Sequence, residues 1–276
     1  TLLTPCQYWQ PPHGAGLRNQ NGLCLNTKIH IYCFNYHCYN SRFLVRLLIV
    51  SGYNQITMRI YLHLSPNREI VPFNYQQSLV GAFHKWLGEN ELHNDISLYS
   101  LSWLSRGIPT RGGLDFPNGS TFFVSAPDPA LLTALVQGMF KGQAIRWGME
   151  VREARIAKTP DFGRKKVFLA QSPILIKRKA ETDRHHQYYF PNQPESNDFM
   201  TETLRRKLEK AGLSGDVSVA FDSTYPKPII KKIRYRGLDI KGTICPVIVE
   251  GDSWVVKFAW EVGIGNSTGI GFGALK

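Results

Sequence analysis

The sequence predicts an α+β fold made of two tandem domains, and three observations support this prediction. Residues 58–64, MRIYLHL, alternate between apolar and polar side chains, as a half-buried strand does. Up to residue 158, helical and strand periodicities then complete the order βαββαβ. The second half of the chain begins in the same way but shows no clear second helix. Because this order is the ferredoxin-like pattern, we predict two ferredoxin-like domains, the second imperfect, followed by a glycine-rich loop.

The elements of the first domain are predicted from periodicity and from boundary residues. Apolar residues at helical spacing indicate helices, strict alternation indicates strands, and glycine or proline marks the ends. Asp128 and Pro129 are suited to the cap and the first turn of the second helix. The predicted elements after 58–64 are a helix that ends at Gly88, strands at 97–106 and 120–126, a helix between Asp128 and Gly142, and a strand over 146–157.

The elements of the second domain are predicted in the same way. They are a long strand pair or a bent strand over 164–178, a helix capped by Ser196 or Asn197 and ending at Gly212, and strands at 216–221, 229–236 and 254–260. The last of these, WVVKFAW, is assigned as a strand because its large apolar residues alternate strictly. The predicted domains therefore span 58–158 and 163–276.

The first 57 residues differ in composition from the rest of the chain. They contain no Asp or Glu and four of the five cysteines, and the first methionine of the chain is Met58. We interpret 1–57 as a non-native or untranslated extension, expected to be disordered. Two alternatives are a secretory signal and a zinc site from His30, Cys33, His37 and Cys38. Both fit poorly, because the segment lacks a cleavage site and the ligand spacing of small zinc modules.

The net charge and the hydropathy of the chain indicate which kind of molecule the protein binds. The net charge of +12 and the pI near 9.5 favour a polyanion. No stretch is long and apolar enough for a membrane span, since residues 41–50 are too few and carry two arginines. Beyond residue 57 only Cys245 remains, which fits a reducing cytoplasm without a disulfide framework.

The glycine-rich end of the chain, VGIGNSTGIGFG, does not have the spacing of a nucleotide-binding loop. A dinucleotide fingerprint would need glycine where Thr268 stands, and a phosphate-binding loop would need a following Lys-Ser or Lys-Thr pair. Glycines also allow another backbone to approach closely. The loop therefore faces either a phosphate backbone or another part of this protein.

Seven segments of the chain carry a resemblance to a known family: MRIYLHLSP, QSLVGAFHKWL, ELHND, LYSLSWL, SPILI, IKGTICPVIVEG and VGIGNSTGIGFG. Together they resemble the CRISPR-associated RAMP endoribonucleases that process precursor crRNA. The resemblance covers 58–276 and none of 1–57. It implies two ferredoxin-like domains and a cut at the 3′ base of the repeat hairpin, with no metal or cofactor. The products would carry a 2′,3′-cyclic phosphate and a 5′-hydroxyl.

Two histidines are the predicted acid and base. Imidazole suits both proton transfers of a 2′-hydroxyl attack because its pKa lies near neutrality. The resemblance places His93 on the family's catalytic histidine, and His84 where members carry tyrosine or histidine. A lysine that assists in some members would fall near Ser97 and is absent, so Lys85 or a lysine from elsewhere in the chain is the candidate replacement. Which histidine is the acid remains open.

Basic residues on predicted strands form the expected RNA-binding surface. In KKIRYRG, Lys232, Arg234 and Arg236 share one face, with Ile233 and Tyr235 on the other, which suits a strand that follows phosphates. The other predicted RNA contacts are Lys85, Arg164, Lys165, Lys166, Lys177, Arg178, Gly265, Ser267, Thr268, Gly269 and Gly271. With these residues the glycine-rich loop is expected to be an RNA-facing platform.

The sequence thus predicts a cytoplasmic endoribonuclease whose partner is a CRISPR repeat hairpin. Other CRISPR effector subunits are further candidate partners, and the protein is expected to be a monomer or homodimer without a membrane contact. Two alternatives remain open. One is a non-catalytic RAMP subunit that binds crRNA as a scaffold, and the other is a ferredoxin-like RNA-binding protein outside CRISPR systems.

Overall fold

Two principal β-sheets carry the fold in the computed structural model, which describes residues 44–47, 58–88, 96–179 and 186–276. All of these residues belong to one compact unit, Asn35–Lys276. We call 58–158 the first domain and 163–276 the second. Before and within the first domain lie β1 (Leu44–Leu47), β2 (Met58–Leu64), α1 (Gln76–Leu87), β3 (Ser100–Leu101), β4 (Ile108–Thr110), β5 (Gly113–Asp115), β6 (Ser120–Ala126), α2 (Pro129–Lys141) and β7 (Val151–Lys158).

The first sheet has the strand order β1-β7-β2-β6-β3. Its four strands from the first domain are antiparallel and follow the ferredoxin-like order, and β1 adds to the edge in parallel with β7. The alternation of 58–64 is confirmed, since Ile60, Leu62 and Leu64 are buried in the core. The rest of 1–57 lies outside the described residues, so our interpretation of that segment stays a prediction.

Helices α1 and α2 cover the inner face of this sheet, and their predicted boundaries are confirmed. The Asp128 side chain accepts a hydrogen bond of 2.8 Å from the Ala130 backbone N–H, which caps α2. Gly88, with φ of 71°, ends α1. The predicted strand over 97–106 is shorter than expected, because only Ser100–Leu101 pairs with β6.

The second domain contains β8 (Lys165–Phe168), β9 (Lys177–Lys179), β10 (His186–Tyr188), α3 (Glu195–Lys210), β11 (Val217–Phe221), β12 (Ile229–Tyr235), β13 (Leu238–Ile244), β14 (Val247–Gly251) and α4 (Ser253–Val262). Its main sheet has the order β11-β14-β8. The C-terminal residues extend it, because the Leu169 and Lys276 backbones exchange hydrogen bonds of 2.8 and 3.2 Å. Two hairpins, β9–β10 and β12–β13, stand outside this sheet.

The expectation of a strand over 254–260 is wrong. These residues lie in α4. Every residue of this helix from Val255 to Val262 is buried, except Lys257. A helix that is apolar on nearly every side loses the 3.6-residue signal, so its large residues can mimic alternation. With α4 in place the second domain has both helices, and the tandem ferredoxin-like fold class is confirmed.

Two smaller expectations for the second domain are refined or corrected. Of the two predictions for 164–178, the structure agrees with two strands rather than one bent strand, although β8 and β9 lie in different sheets and do not pair with each other. The N-cap of α3 is Pro194, without a side-chain hydrogen bond, and Ser196 is buried inside the first turn. Asn197 instead binds the neighbouring strand β11, because its Oδ1 accepts a hydrogen bond of 3.0 Å from the Phe221 N–H.

The edge strand β11 is covered by side chains of α3. The Thr201 hydroxyl accepts a hydrogen bond of 2.9 Å from the Val219 N–H and donates one of 3.3 Å to the Val219 carbonyl. An Arg205 guanidinium N–H donates to the Val217 carbonyl at 3.3 Å. Together with the Asn197 bond, these contacts satisfy backbone groups that an edge strand would otherwise leave open.

The buried side chain of Arg59 joins the two domains. It lies on the outer face of the first sheet, where its guanidinium carbon is 3.7 Å from the Phe123 ring centroid and 3.2 Å from that of Trp260 in α4. It also donates to the Trp260 carbonyl at 3.0 Å and to the Ser125 hydroxyl at 3.2 Å. The alternation of 58–64 places Arg59 among solvent-facing or packing residues, and the structure shows that it is fully buried.

Candidate nucleic-acid interface

The last turn of α1 carries His84 and Lys85, next to residues that anchor the helix in the core. Phe83 is fully buried, and its ring meets the half-buried His84 imidazole edge to face, with the centroids 5.2 Å apart. Lys85 is exposed. Cationic side chains are favourable at this end of a helix because the macrodipole is negative there. His84 is therefore held by a rigid element at the edge of the core.

His93 lies in 89–95, outside the described residues. Its pairing with His84 stays a prediction. The segment begins directly after Gly88, which ends α1, and the described chain resumes at Ile96, three residues before the buried Tyr99.

The β12–β13 hairpin brings the predicted basic strand from the second domain onto α1. Ile233, Tyr235 and Ile240 form its buried face and share one apolar cluster with Val80 of α1. At the turn, the Arg236 backbone N–H donates to the Gln77 side-chain oxygen at 3.3 Å. Val80 and Gln77 lie one and two turns before His84. The hairpin is thus seated on the helix that carries the candidate catalytic histidine.

The opposite face of the hairpin is exposed and basic, as the alternation of KKIRYRG predicts. Lys232 and Arg234 are exposed, and Arg236 follows them in the turn with φ of 48°. The register pairs Lys232 with Lys241 and Arg234 with Asp239, so Lys241 joins the same face. The sequence reasoning missed Lys241. Along Asp239, Ile240 and Lys241 the side chains alternate between the two faces of the strand. Because Ile240 is buried, this alternation places Lys241 on the exposed face once the hairpin is recognised.

One carboxylate offsets part of this charge. Asp239 forms an ion pair of 2.8 Å with Lys232, and this contact, with help from Arg234, lowers the pKa of the Asp239 carboxyl. Both partners of the pair are largely exposed. A phosphate can therefore replace Asp239 as the partner of Lys232 at little cost, because both charges of this exposed pair are already well solvated.

The other predicted basic residues are not on this hairpin. Arg164, Lys165 and Lys166 are exposed at the start of β8, where Arg164 pairs with Asp252 at 3.3 Å and Lys165 with Glu250 at 2.9 Å. They belong to the main sheet of the second domain. Their ion pairs show that at least two of the three have carboxylate partners in the protein itself.

Lys177 and Arg178, at the start of β9, are both partly buried. Burial lowers the pKa of the Lys177 amine, and its backbone N–H donates to the Asn266 side chain at 2.9 Å. The Arg178 guanidinium donates to the Glu202 carboxylate at 2.9 Å and to the Phe199 carbonyl at 3.0 Å, over the Phe199 ring. Arg178 therefore anchors β9 to α3, a use that the sequence did not indicate.

The glycine-rich loop lies between the two domains. Gly265, Thr268, Gly269 and Gly271 are all buried, and of the five predicted loop contacts only Ser267 is partly exposed. This burial corrects the expectation of an open, RNA-facing platform. Of the two alternatives from the sequence, a phosphate backbone or another part of this protein, the structure shows the second, because the loop backbone packs closely against other residues of the protein.

Specific contacts of the loop explain its glycines. A Cβ at Gly269 would collide with the Ser97 and Tyr99 side chains, and one at Gly265 would meet the Leu175 carbonyl. The Gly271 carbonyl accepts a hydrogen bond of 2.7 Å from the Trp103 indole. The buried Thr268 hydroxyl donates to the Tyr99 carbonyl at 2.9 Å. Burial raises the pKa of the Tyr99 phenol to about 12, so the phenol stays protonated well above neutral pH.

Metal and membrane contacts find no support in the part of the chain that the structure describes. There, no three His, Cys, Asp or Glu side chains are grouped so that they could hold a metal ion. No described helix has the length and apolar character needed to cross a membrane. The zinc alternative from His30, Cys33, His37 and Cys38 lies outside the described residues.

Comparisons with known proteins agree with this architecture. The family model for the C-terminal part of CRISPR associated protein Cas6 matches residues 157–276. The chain is 25% identical over 241 residues to the protein named CRISPR-associated endoribonuclease Cas6 1 of Methanocaldococcus jannaschii, covering 79% of this chain and 91% of the relative.

Two solved structures share the fold. One, described as a Cas6-related gene product from Pyrococcus furiosus, has a TM-score of 0.71 at 21% identity and covers 80% of this chain and 98% of its own. The other, described as an RAMP protein binding different RNA substrates, has a TM-score of 0.70 at 20% identity, with 79% and 98% covered. The family model covers the second domain and the curated relative covers both domains, so the chain is similar in sequence to Cas6 proteins over both domains and shares the fold of the two solved structures.

Proposed function

We propose that this protein is a metal-independent endoribonuclease that cuts CRISPR repeat RNA. The observation that carries the proposal is the exposed basic face of the β12–β13 hairpin, seated directly on the helix that holds His84. The name of the M. jannaschii relative, an endoribonuclease, supports the same activity.

The proposed reaction is an internal transesterification. The base takes the proton of the 2′-hydroxyl, and the 2′-oxygen forms a bond to the adjacent phosphorus. The bond from phosphorus to the 5′-oxygen breaks, and the acid protonates that oxygen, which leaves a 2′,3′-cyclic phosphate and a 5′-hydroxyl. We assign these two roles to His84 and His93 as a pair, with Lys85 as a candidate to stabilise the charged intermediate.

The hairpin is proposed to hold the phosphates of the RNA stem. Lys232, Arg234, Arg236 and Lys241 present their charges at the spacing of a strand, which suits recognition by backbone and shape. Arg164, Lys165, Lys166 and Lys177 remain candidate contacts for RNA that extends over the second domain. Ser267, the partly exposed member of the glycine-rich loop, remains a candidate as well.

Further parts of the proposal concern organisation. We propose domain boundaries at 58–158 and 163–276, a cytoplasmic location, and action as a monomer or homodimer. Other CRISPR effector subunits are proposed as secondary partners.

A cleavage map of an end-labelled repeat hairpin, incubated with the full chain in EDTA, tests the function. We expect one cut at the 3′ base of the hairpin, abolished by a single 2′-deoxy substitution at that position. His84→Ala and His93→Ala should each slow cleavage by about 10²–10⁴-fold with RNA affinity retained. His63→Ala is the matched control, because His63 lies in β2 and contacts Thr121 at 3.0 Å. Tight binding without any cut would contradict the proposal and favour the scaffold alternative.

The binding surface has a separate test. Lys232→Ala should weaken RNA binding and reduce the slope of log affinity against log salt by about 0.7–0.9 for the lost phosphate contact. An unchanged slope would remove Lys232 from the proposed interface.

A further inference from the structure

The amine of Lys207, in α3, is buried in the second domain and has no role in the reaction described above. The residue is 1% exposed. Its Nζ donates three hydrogen bonds, to the Val262 carbonyl at 2.8 Å, the Gly263 carbonyl at 3.0 Å and the Thr268 hydroxyl at 3.0 Å. All three acceptors are neutral oxygens at the end of α4 or in the glycine-rich loop.

Burying this amine is costly, and its neighbours offset the cost in a specific way. Removal from water disfavours an ammonium group, and burial lowers the pKa of Lys207 to about 7. Two of the acceptors lie at the C-terminal end of α4, where the helix macrodipole favours positive charge. A methionine of similar length would fill the same space without the desolvation cost. The presence of an amine at this position is therefore better explained by the three groups that it binds by hydrogen bonds than by the apolar area that the side chain buries.

The contact with Thr268 connects Lys207 to the first domain. The Thr268 hydroxyl accepts from Lys207 and uses its own proton to reach the Tyr99 carbonyl at 2.9 Å. Tyr99 directly precedes β3 in the first domain. Thr268 is completely buried, so this chain of hydrogen bonds excludes water.

The loop fixed in this way packs against α1. Phe272 is fully buried in the apolar cluster that contains Val80, with Ile270 at its edge. The short 3-10 helix Thr268–Ile270 contacts α1 itself. His84 follows Val80 by one helical turn, so the position of the loop influences the position of the imidazole.

We propose that Lys207 is a positioning residue for RNA cleavage, which holds the glycine-rich loop against the first domain and thereby places α1 with His84. This inference rests on the proposed function. Lys207 and Thr268 do not contact RNA, because both are buried. Their loss should therefore affect the rate of the chemical step and leave the affinity for RNA unchanged.

Single-turnover cleavage by Lys207→Met tests the inference. We expect a first-order rate roughly 10- to 100-fold below the wild type, as for a displacement of about 1 Å in a catalytic group. The dissociation constant, its salt slope and the stoichiometry of RNA binding should equal those of the wild type. Lys232→Met, an exposed lysine of the hairpin, should show the opposite pattern of weaker, less salt-dependent binding.

Thr268 provides a second pair of variants in case Lys207→Met fails to fold. Thr268→Val keeps the shape but removes the hydroxyl, so it should slow cleavage, whereas Thr268→Ser retains the hydroxyl and should restore the rate. If Lys207→Met folds, adding Thr268→Val should slow cleavage less than the product of the two single effects, because both act through one contact.

Amide hydrogen exchange of 263–273 in the RNA-free protein separates this inference from the proposed function. Faster exchange in Lys207→Met or Thr268→Val, with protection restored in Thr268→Ser, would support Lys207 as the residue that holds the loop. A wild type that does not cut contradicts the proposed function, and with it any role of Lys207 in cleavage, whereas the exchange measurement still decides whether Lys207 holds the loop. Three results would each overturn the positioning role. The first is amide exchange in the variants equal to that of the wild type, and the second is cleavage by folded variants at the wild-type rate. The third is a loss of cleavage rate that is matched by an equal loss of binding stoichiometry.

Discussion

Gly138 shows how a single residue sets the distance between two helices. A Cβ at this position of α2 would collide with the Trp86 carbonyl in α1. The same contact region includes the Trp86 indole, which donates to the Gly142 carbonyl at 2.7 Å. The backbones of α1 and α2 therefore approach closely only because position 138 has no side chain. Since α1 carries His84, this packing bears on the candidate site as well as on stability.

Gly138→Ala should destabilise the protein, by about 1–3 kcal/mol in the free energy of unfolding, because the added methyl group overpacks the helix contact. Gly81→Ala is the matched control. Gly81 lies in α1, and a methyl group added there would have nothing within 4 Å, so alanine should stabilise the helix by about 0.5–1 kcal/mol. Denaturant unfolding of both variants measures the difference, and shifts in the same direction would refute the argument.

Single residues also show what the sequence could and could not predict about the site. The alternation of KKIRYRG correctly predicts exposed Lys232 and Arg234 against buried Ile233 and Tyr235. It could not show that Lys207 is buried, because a lysine in an amphipathic helix reads as solvent-facing until its neighbours are known. The same holds for Arg59 and Arg178, whose partners lie 201 and 24 residues away in the chain.

At the scale of elements, helix boundaries were easier to predict than the type of a short apolar segment. Asp128, Pro129 and Gly142 were assigned from local chemistry alone, and α2 begins and ends with them. For 254–260 the same kind of signal was present in Asp252 and Gly263, which flank α4. The prediction of a strand there rested only on the alternation of large apolar residues and did not use these two boundary residues. A short buried helix cannot be distinguished from a strand by periodicity, since nearly every position is apolar.

The two aspartates that begin helices allow a direct comparison. Asp128→Ala should lower the free energy of unfolding by about 1 kcal/mol, because the Asp128 carboxylate caps α2 at the Ala130 N–H. Asp252 occupies the same position in α4 but makes no capping hydrogen bond. Its substitution by alanine should cost less than that of Asp128. Equal losses in thermal unfolding would show that the capping hydrogen bond of Asp128 contributes no more than the exposed pair that Asp252 makes with Arg164 at 3.3 Å.

At the scale of the whole molecule, the two domains are joined by buried polar groups as well as by apolar packing. Arg59→Ala should lower the free energy of unfolding by about 2 kcal/mol or more, because it removes a desolvated guanidinium from between Phe123 and Trp260. Arg152→Ala serves as a control, since Arg152 is half exposed and pairs with Glu150. That surface pair should contribute about 0–1 kcal/mol. A loss at Arg59 no larger than the loss at Arg152 would contradict the bridging role.

Lys207 predicts how stability depends on pH. Its pKa is about 7 in the folded protein against an ordinary value of 10.5, so between these values the unfolded chain binds more protons. Stability due to this group therefore rises with pH in that window, and the cost of burying its charge is fully present below pH 7. The difference in free energy of unfolding between wild type and Lys207→Met should shift in favour of the wild type by about 2 kcal/mol from pH 7 to pH 9. A flat or falling difference would contradict a lowered pKa.

The order of the elements along the chain was predictable, whereas the contacts between the domains were not. Local periodicity gave the βαββαβ order of the first domain, but the burial of the glycine-rich loop depends on Tyr99, Trp103 and Lys207, which are remote in sequence. The spacing of its glycines indicated a close backbone approach without identifying the partner.

The cover that α3 places over β11 limits how this protein can self-associate. An open edge strand offers its N–H and carbonyl groups as a template on which a second chain can add, and such addition leads to fibres as well as dimers. Here Thr201, Asn197 and Arg205 already occupy those groups. Growth of the second sheet from one molecule into the next is blocked along this edge. A homodimer of this protein would have to form through a different surface.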